Sequence, residues 1–156
     1  VSTNPGQPPR AVAKIASGGE LPRLSLAVQV CCAGNAAPCM VFDEVDAGIG
    51  GAVAEIVGRE LRGLGSAGQA LCVTHLAQVA CQAHQHLRVA KLTDGRSTRI
   101  SVTALHGETR VEEIARMLGG VEITARARSH ALEMLAQAER EAAPAAGSAR
   151  RSRPSR

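Results

Sequence analysis

Apolar and polar positions change their period several times along this chain, and each change marks an element. Cys39-Met40-Val41-Phe42 is apolar without a break and runs directly into Asp43-Glu44. A run this short and continuous predicts a strand over 38–43, buried on both faces as in a parallel sheet. Ala70-Leu71-Cys72-Val73-Thr74 predicts a second buried strand, ending on His75. Between them Val53, Ile56, Val57, Leu61 and Leu64 recur at helical spacing, which predicts a helix over 52–64 with these residues on its inner face. Leu21, Leu24, Val28 and Cys31 or Cys32 predict an earlier helix over about 18–33, ending near Gly34-Asn35. Ser17 with Glu20 three residues later is a capping-box pattern at its start.

The downstream half reads differently. A short helix is expected over 76–83. Two strands, 87–92 and 98–105, flank Thr93-Asp94-Gly95-Arg96, and Asp-Gly between such runs predicts a hairpin. A helix over 110–118 closes on Gly119-Gly120. The last helix spans 124–142, with Thr124 as its cap and Leu132 and Leu135 facing inward. Prolines break up residues 1–13, which read as a loop or linker, and the Ala, Pro, Gly, Ser and Arg of 143–156 read as a disordered basic tail. Residues 14–142 are the folded unit. Strands alternating with helices predict an α/β fold, a mostly parallel sheet flanked by helices with a hairpin added.

Composition narrows the chemistry. At 156 residues and 45% hydrophobic the chain has the makings of one core. Phe42 is its one aromatic residue, so the core is Leu, Val, Ile and Ala, and a base-stacking platform for single strands is excluded. The formal charge of +4 arises in the tail, from Arg150, Arg151, Arg153 and Arg156; elsewhere acids and bases balance. The domain is therefore not read as a nucleic-acid surface. The tail reads as a solvated end, or as a contact for DNA phosphates. Five cysteines, with no Cys-x-x-Cys, fit reduced, buried thiols in a cytosol. Neither an 18-residue apolar span nor a signal peptide appears, so a soluble, cytoplasmic protein without membrane contact is expected. The chain opens on Val1 rather than Met, inside a Pro-rich stretch, and is read as a piece of something longer.

Three places carry candidate chemistry. Ser17-Gly18-Gly19 at a helix start offers free N–H groups and a positive dipole end to an anion, or is an ordinary capped helix. Asp43 and Glu44 leave a strand at its carboxyl end, where α/β sheets bind ligands. Carboxylates there hold a hard cation or orient water, or form a solvated acidic turn. His75 ends the next strand, ready to hydrogen-bond an anion or a water, or serves the fold alone. Cys81, His84 and His86 supply three metal-ligand types without an obvious fourth, and read better as polar residues at a turn.

Taken in order, these motifs resemble the ABC-type ATPases. Ser17-Gly18-Gly19-Glu20 is similar to their signature motif, the run ending in Asp43-Glu44 to the Walker B strand, Asp46 and the following glycines to the D-loop, and His75 to the switch histidine. Spacing and order resemble the SMC-like branch, and its DNA-repair members in particular. His84-Gln85-His86 and Met117-Leu118-Gly119-Gly120 extend the likeness, which covers roughly residues 1–140. The resemblance implies a P-loop NTPase-like fold, the C-terminal lobe of an ATPase head. It implies Asp43 on Mg²⁺, Glu44 on the hydrolytic water and His75 on the γ-phosphate of ATP. Ser17, Gly18 and Gly19, with Glu20, would bind the γ-phosphate held by a second head, and Asp46 would sit at the seam of that homodimer. The implied work is recombinational repair of DNA double-strand breaks, at the nucleoid. No Gly-x-x-x-x-Gly-Lys-Ser/Thr occurs. The phosphate-binding loop and coiled coil of this family lie in an N-terminal portion, so the chain alone is expected to be inactive. Pro22 stands where the family has Ser, which predicts a late start or a kink in the signature helix. A non-catalytic docking half of a split head and a transporter's nucleotide-binding subunit are the alternatives.

Overall fold

The computed structural model describes residues 20–32, 39–95, 97–120 and 122–142, with Gly6 and Pro8. The expectations for Ser17, Gly18 and Gly19, for the rest of 1–13 and for the tail lie outside the described residues. So does the capping pattern of Ser17 with Glu20, whose backbone alone is described.

Helix α1 spans Glu20–Cys32, strand β1 Cys39–Phe42, helix α2 Gly51–Ala67 and strand β2 Gln69–Cys72. The short helix α3 is Ala77–Ala80; β3, His86–Thr93, and β4, Thr98–Leu105, follow; α4 is Gly107–Gly119 and α5 is Ala125–Ala142. Strands β1 and β2 are parallel, joined through α2, with Cys39 opposite Gln69 and Phe42 opposite Cys72. Strands β3 and β4 form an antiparallel hairpin pairing His86 with Leu105 and Thr93 with Thr98. The α/β class and the hairpin stand as predicted. The parallel part is one pair of strands, and the hairpin makes a sheet of its own.

Leu26, Phe42, Val45, Ala54, Val57, Leu61, Leu64 and Val79 form one buried cluster, which joins α1, the parallel pair, α2 and α3. A second, of Ala77, Ala80, Cys81, Ile114, Ala115 and Ala131, joins α3 to α4 and α5. Helix α3 contributes to both and so joins the two halves.

Several burial expectations are corrected. The strands are not buried on both faces: Met40, Phe42, Ala70 and Cys72 turn to the core, while Val41, at 66% exposed, Leu71 and Val73 face outward. Nothing among the described residues covers that side, because α2 packs on the other. For the same reason Val53 and Ile56 are exposed, and the inner stripe of α2 is Ala54, Val57, Leu61 and Leu64. In α5 the inward residues are Ala131 and Ala138, with Leu135 beside them, and Leu132 is exposed. Fully buried Ala115, Ala131 and Ala138 let α4 and α5 approach closely, with Leu118 and Leu135 packed at the margin of the contact. Cys31 and Cys39 are exposed rather than buried; Cys81 alone among the described cysteines is fully inside.

Boundaries shift for local reasons. Helix α4 begins at Gly107, not at 110, because Thr109 Oγ1 accepts the His106 N–H at 3.1 Å and caps the start. Thr124 Oγ1 accepts the Ala127 N–H at 3.1 Å, which is the cap predicted for α5. Pro22 lies in the first described turn of α1, near a helix start, where proline is tolerated best. The helix neither starts after it nor ends there.

Candidate functional site

The site is built where β1 and β2 end. Both run the same way, so both deliver their next residues to the same edge. After Phe42 the chain turns sharply: the Ala47 N–H bonds the Glu44 carbonyl at 3.1 Å, and the Ile49 N–H bonds the Asp46 carbonyl at 3.3 Å. Glu44 takes φ 58, the one non-glycine residue described with a positive φ. Left-handed backbone costs an ordinary residue roughly 1–2 kcal/mol and clusters at functional sites. Gly48 and Gly51 take φ 70 and 52, the conformations that carry the chain round into α2. Arg23 of α1 holds the turn from the other side, its Nη1 donating to the Ala47 carbonyl at 2.6 Å.

Asp43 and Glu44 are exposed on this edge, as is His75, whose side chain is 72% exposed. Asp46 is the opposite case at 2% exposed. Its Oδ2 accepts the Thr74 hydroxyl at 2.5 Å and the His75 backbone N–H at 3.1 Å, and lies 3.3 Å from the His75 Nδ1. Thr74 Oγ1 in turn accepts the Leu76 N–H at 3.0 Å. The carboxylates have an electrostatic witness: burial above all, then the charges of Asp46 and Asp43, push the Cys72 thiol up to about 11.

Asp43, Glu44, Asp46 and His75, found separately in the sequence, thus meet at one end of the parallel pair. Glu20 opens α1, and Ser17, Gly18 and Gly19 lie outside the described residues. Two participants were missed. Thr74 read as the end of a strand and Arg23 as an unremarked base in a helix. The sequence signal for Thr74 was a hydroxyl directly before the histidine.

The donor set fits Mg²⁺, which prefers one or two carboxylate oxygens and keeps much of its water. Among the described residues no group of three or more His, Cys, Asp or Glu side chains is arranged to hold a metal ion. Cys81, His84 and His86 therefore do not converge: Cys81 is inside the second cluster, His84 lies near Gly65 of α2, and His86 opens β3. Arg110 fills the space between, its Nη2 donating to the Cys81 and Ala83 carbonyls at 3.1 and 2.7 Å.

Among solved structures, the chain is similar to one described as the structural biochemistry of ATP-driven dimerization and DNA stimulated activation of SMC ATPases. The TM-score is 0.52 at 21% identity, over 70% of this chain and 66% of that one. The two share a fold, of the α/β class expected from the sequence. No family model matches the chain. Over 136 residues, 86% of its length, the chain is 55% identical to the DNA repair protein RecN of Xylella fastidiosa (strain Temecula1) and 52% identical to that of Vibrio cholerae. It is 43% identical to RecN of Bacillus subtilis over 141 residues. The match is to the C-terminal part of those proteins, to which the sequence is similar over most of its own length. The chain spans 24% of the length of the curated relatives it matches. Among the described residues no helix is long and apolar enough to cross a membrane.

Proposed function

We propose that this chain is the C-terminal lobe of a RecN-type ATPase head and supplies the hydrolytic edge of a composite ATP site. What carries the reading is the meeting of Asp43, Glu44 and His75 at the carboxyl end of one parallel pair. Asp43 would hold Mg²⁺ through water, which would supply charge neutralisation for the phosphoryl group. Glu44 orients and deprotonates the attacking water; a positioned base contributes about 10²–10⁴-fold. His75 senses the γ-phosphate, in a reaction whose catalysis is mostly positioning and charge stabilisation.

The remaining parts come from elsewhere. The phosphate-binding loop and coiled coil belong to an N-terminal portion of the protein, and the 156 residues lack that loop motif. Ser17, Gly18 and Gly19, which precede Glu20 in the sequence, bind the γ-phosphate on a second head of a homodimer with Glu20, and the turn through Asp46 lies at its seam. The work done is repair of DNA double-strand breaks, in the cytoplasm at the nucleoid, with broken DNA ends as the partner. Purified alone, the chain shows no ATP turnover. In a complete RecN-type protein carrying this segment, Glu44→Gln lowers turnover at least about a hundredfold while ATP is still bound. Hydrolysis left intact by that change would overturn the reading.

The open sheet face favours a second reading, a docking half without catalysis of its own. Val41, Leu71 and Val73 stand exposed side by side, an apolar surface that another lobe would cover. An inactive complete protein that still assembles would favour it.

A further inference from the structure

We propose that Asp46 is a positioning residue for His75, fixing both the place and the tautomer of the imidazole. The proposal rests on the role given to His75 above, and it adds a residue whose side chain faces inward. One carboxylate oxygen of Asp46 accepts two hydrogen bonds from a segment about thirty residues away and lies beside the imidazole of the same segment. It takes the Thr74 hydroxyl at 2.5 Å and the His75 N–H at 3.1 Å, and lies 3.3 Å from His75 Nδ1.

The backbone bond fixes where residue 75 leaves the sheet. The side-chain contact fixes how its ring is turned. A carboxylate only accepts, so Nδ1 carries the hydrogen and Nε2 is left outward as the free nitrogen. An imidazole 72% exposed has little else to hold it. The carboxylate–imidazole arrangement is the one by which second partners orient histidines elsewhere, where its loss costs about 10–100-fold in function. Asp46 is itself rigid: it is 2% exposed and sits in the turn that Arg23 grips through the Ala47 carbonyl. The turn and the histidine therefore move as one unit, so anything that docks on the turn is felt at the imidazole.

Nitrogen-15 NMR of the imidazoles in this chain, above the titration range of histidine, reads the tautomer directly. His75 is expected with the hydrogen on Nδ1, and Asp46→Asn is expected to shift it toward the Nε2–H form that free histidine prefers. A wild-type His75 found with its hydrogen on Nε2 overturns the proposal, whether or not the variant folds. In the complete protein, Asp46→Asn is expected to lower kcat about 10–100-fold with the KM for ATP little changed. An equal loss through KM alone overturns it as well. His75→Ala separates the two claims. If it leaves hydrolysis intact, the catalytic reading of His75 fails while the tautomer result stands.

Discussion

The carbonyl of Phe42 accepts the backbone N–H of Val73 at 2.9 Å, one step beyond the last paired residues of β1 and β2. That bond keeps the two strand ends level, so Asp43-Glu44 and Thr74-His75 depart at the same height. It also keeps Cys72 beside the acids. Burial first, then the charges of Asp46 and Asp43, raise the Cys72 thiol to about 11. The thiolate is the reactive form. Iodoacetamide at pH 8 is therefore expected to label the exposed Cys31 and Cys39 and to spare Cys72 and Cys81, as read by peptide mass spectrometry. Cys72 labelling as fast as Cys39 would contradict the burial of that thiol beside the acids.

Glu44 holds its left-handed backbone without being a residue that favours it. Asparagine tolerates that region several-fold better than glutamate and does not bring the chain entropy of glycine. Glu44→Asn is expected to stabilise this chain by about 0.5–1 kcal/mol in urea denaturation. The same substitution removes the proposed base. A gain in stability paired with loss of hydrolysis in the complete protein would mark strain kept for chemistry; a loss of stability would count against the strain.

His86 opens β3 half-buried, and its Nδ1 has no hydrogen-bond partner among the described residues. Burial, and then the charge of Arg110, lower its pKa below 6.5, while Glu113 pulls the other way. The folded state then binds fewer protons than the unfolded one between its own pKa and 6.5. Stability present above 6.5 is lost as pH falls through that window. The urea midpoint should drop between pH 7 and pH 5, and His86→Gln should flatten the drop. A midpoint that rises over this range would reverse the assignment.

Glu113 acts at lower pH. It is 7% exposed and accepts Arg116 Nε and Nη2 at 2.9 and 2.6 Å, with Arg88 of the hairpin 3.5 Å away. The hydrogen bonds from Arg116 outweigh burial and hold its carboxyl below 4.5. Its contribution is present above 4.5 and disappears as pH falls through the folded value. Both arginines are half exposed, so Glu113→Gln should cost about 1–2 kcal/mol at pH 7, and the difference from wild type should vanish in acid. An acid-insensitive difference would mean that packing, not charge, sets the cost.

The order of elements and the acidic and imidazole positions were legible because each left a local mark. An apolar run meeting two acids, and a second ending on histidine, mark strand ends without any knowledge of what lies beside them. What covers a surface leaves no such mark. Val53 and Ile56 have the spacing of an inner face, yet the stripe that packs is set by where β1 and β2 lie, and Ala54 is on it instead. Val41 and Leu71 read as core and are open to solvent. Asp46 was legible as part of a motif, but its inward turn was not, because its partners are about thirty residues away.

The approach of α2 to α3 turns on a missing side chain. A Cβ at Gly58 would lie 2.8 Å from Gln82 Cγ and 3.2 Å from the Gln78 carbonyl oxygen. Gln82 is itself buried, and Arg62 Nη1 donates to its backbone carbonyl at 2.5 Å, which leaves its Cβ and Cγ little room to give way. The Gln78 carbonyl is backbone and moves only with α3. Since α3 joins both clusters, pushing it outward disturbs the whole lobe. Alanine is the better helix former by about 1 kcal/mol, yet overpacking costs about 1–3 kcal/mol. Gly58→Ala should therefore lower the urea stability. Gly63, on the same helix, is exposed and has open space at its Cβ position. Gly63→Ala should raise stability by about 0.5–1 kcal/mol. Opposite signs for the two substitutions are the expected result, and equal stabilisation by both would mean that α2 and α3 are not packed at this distance.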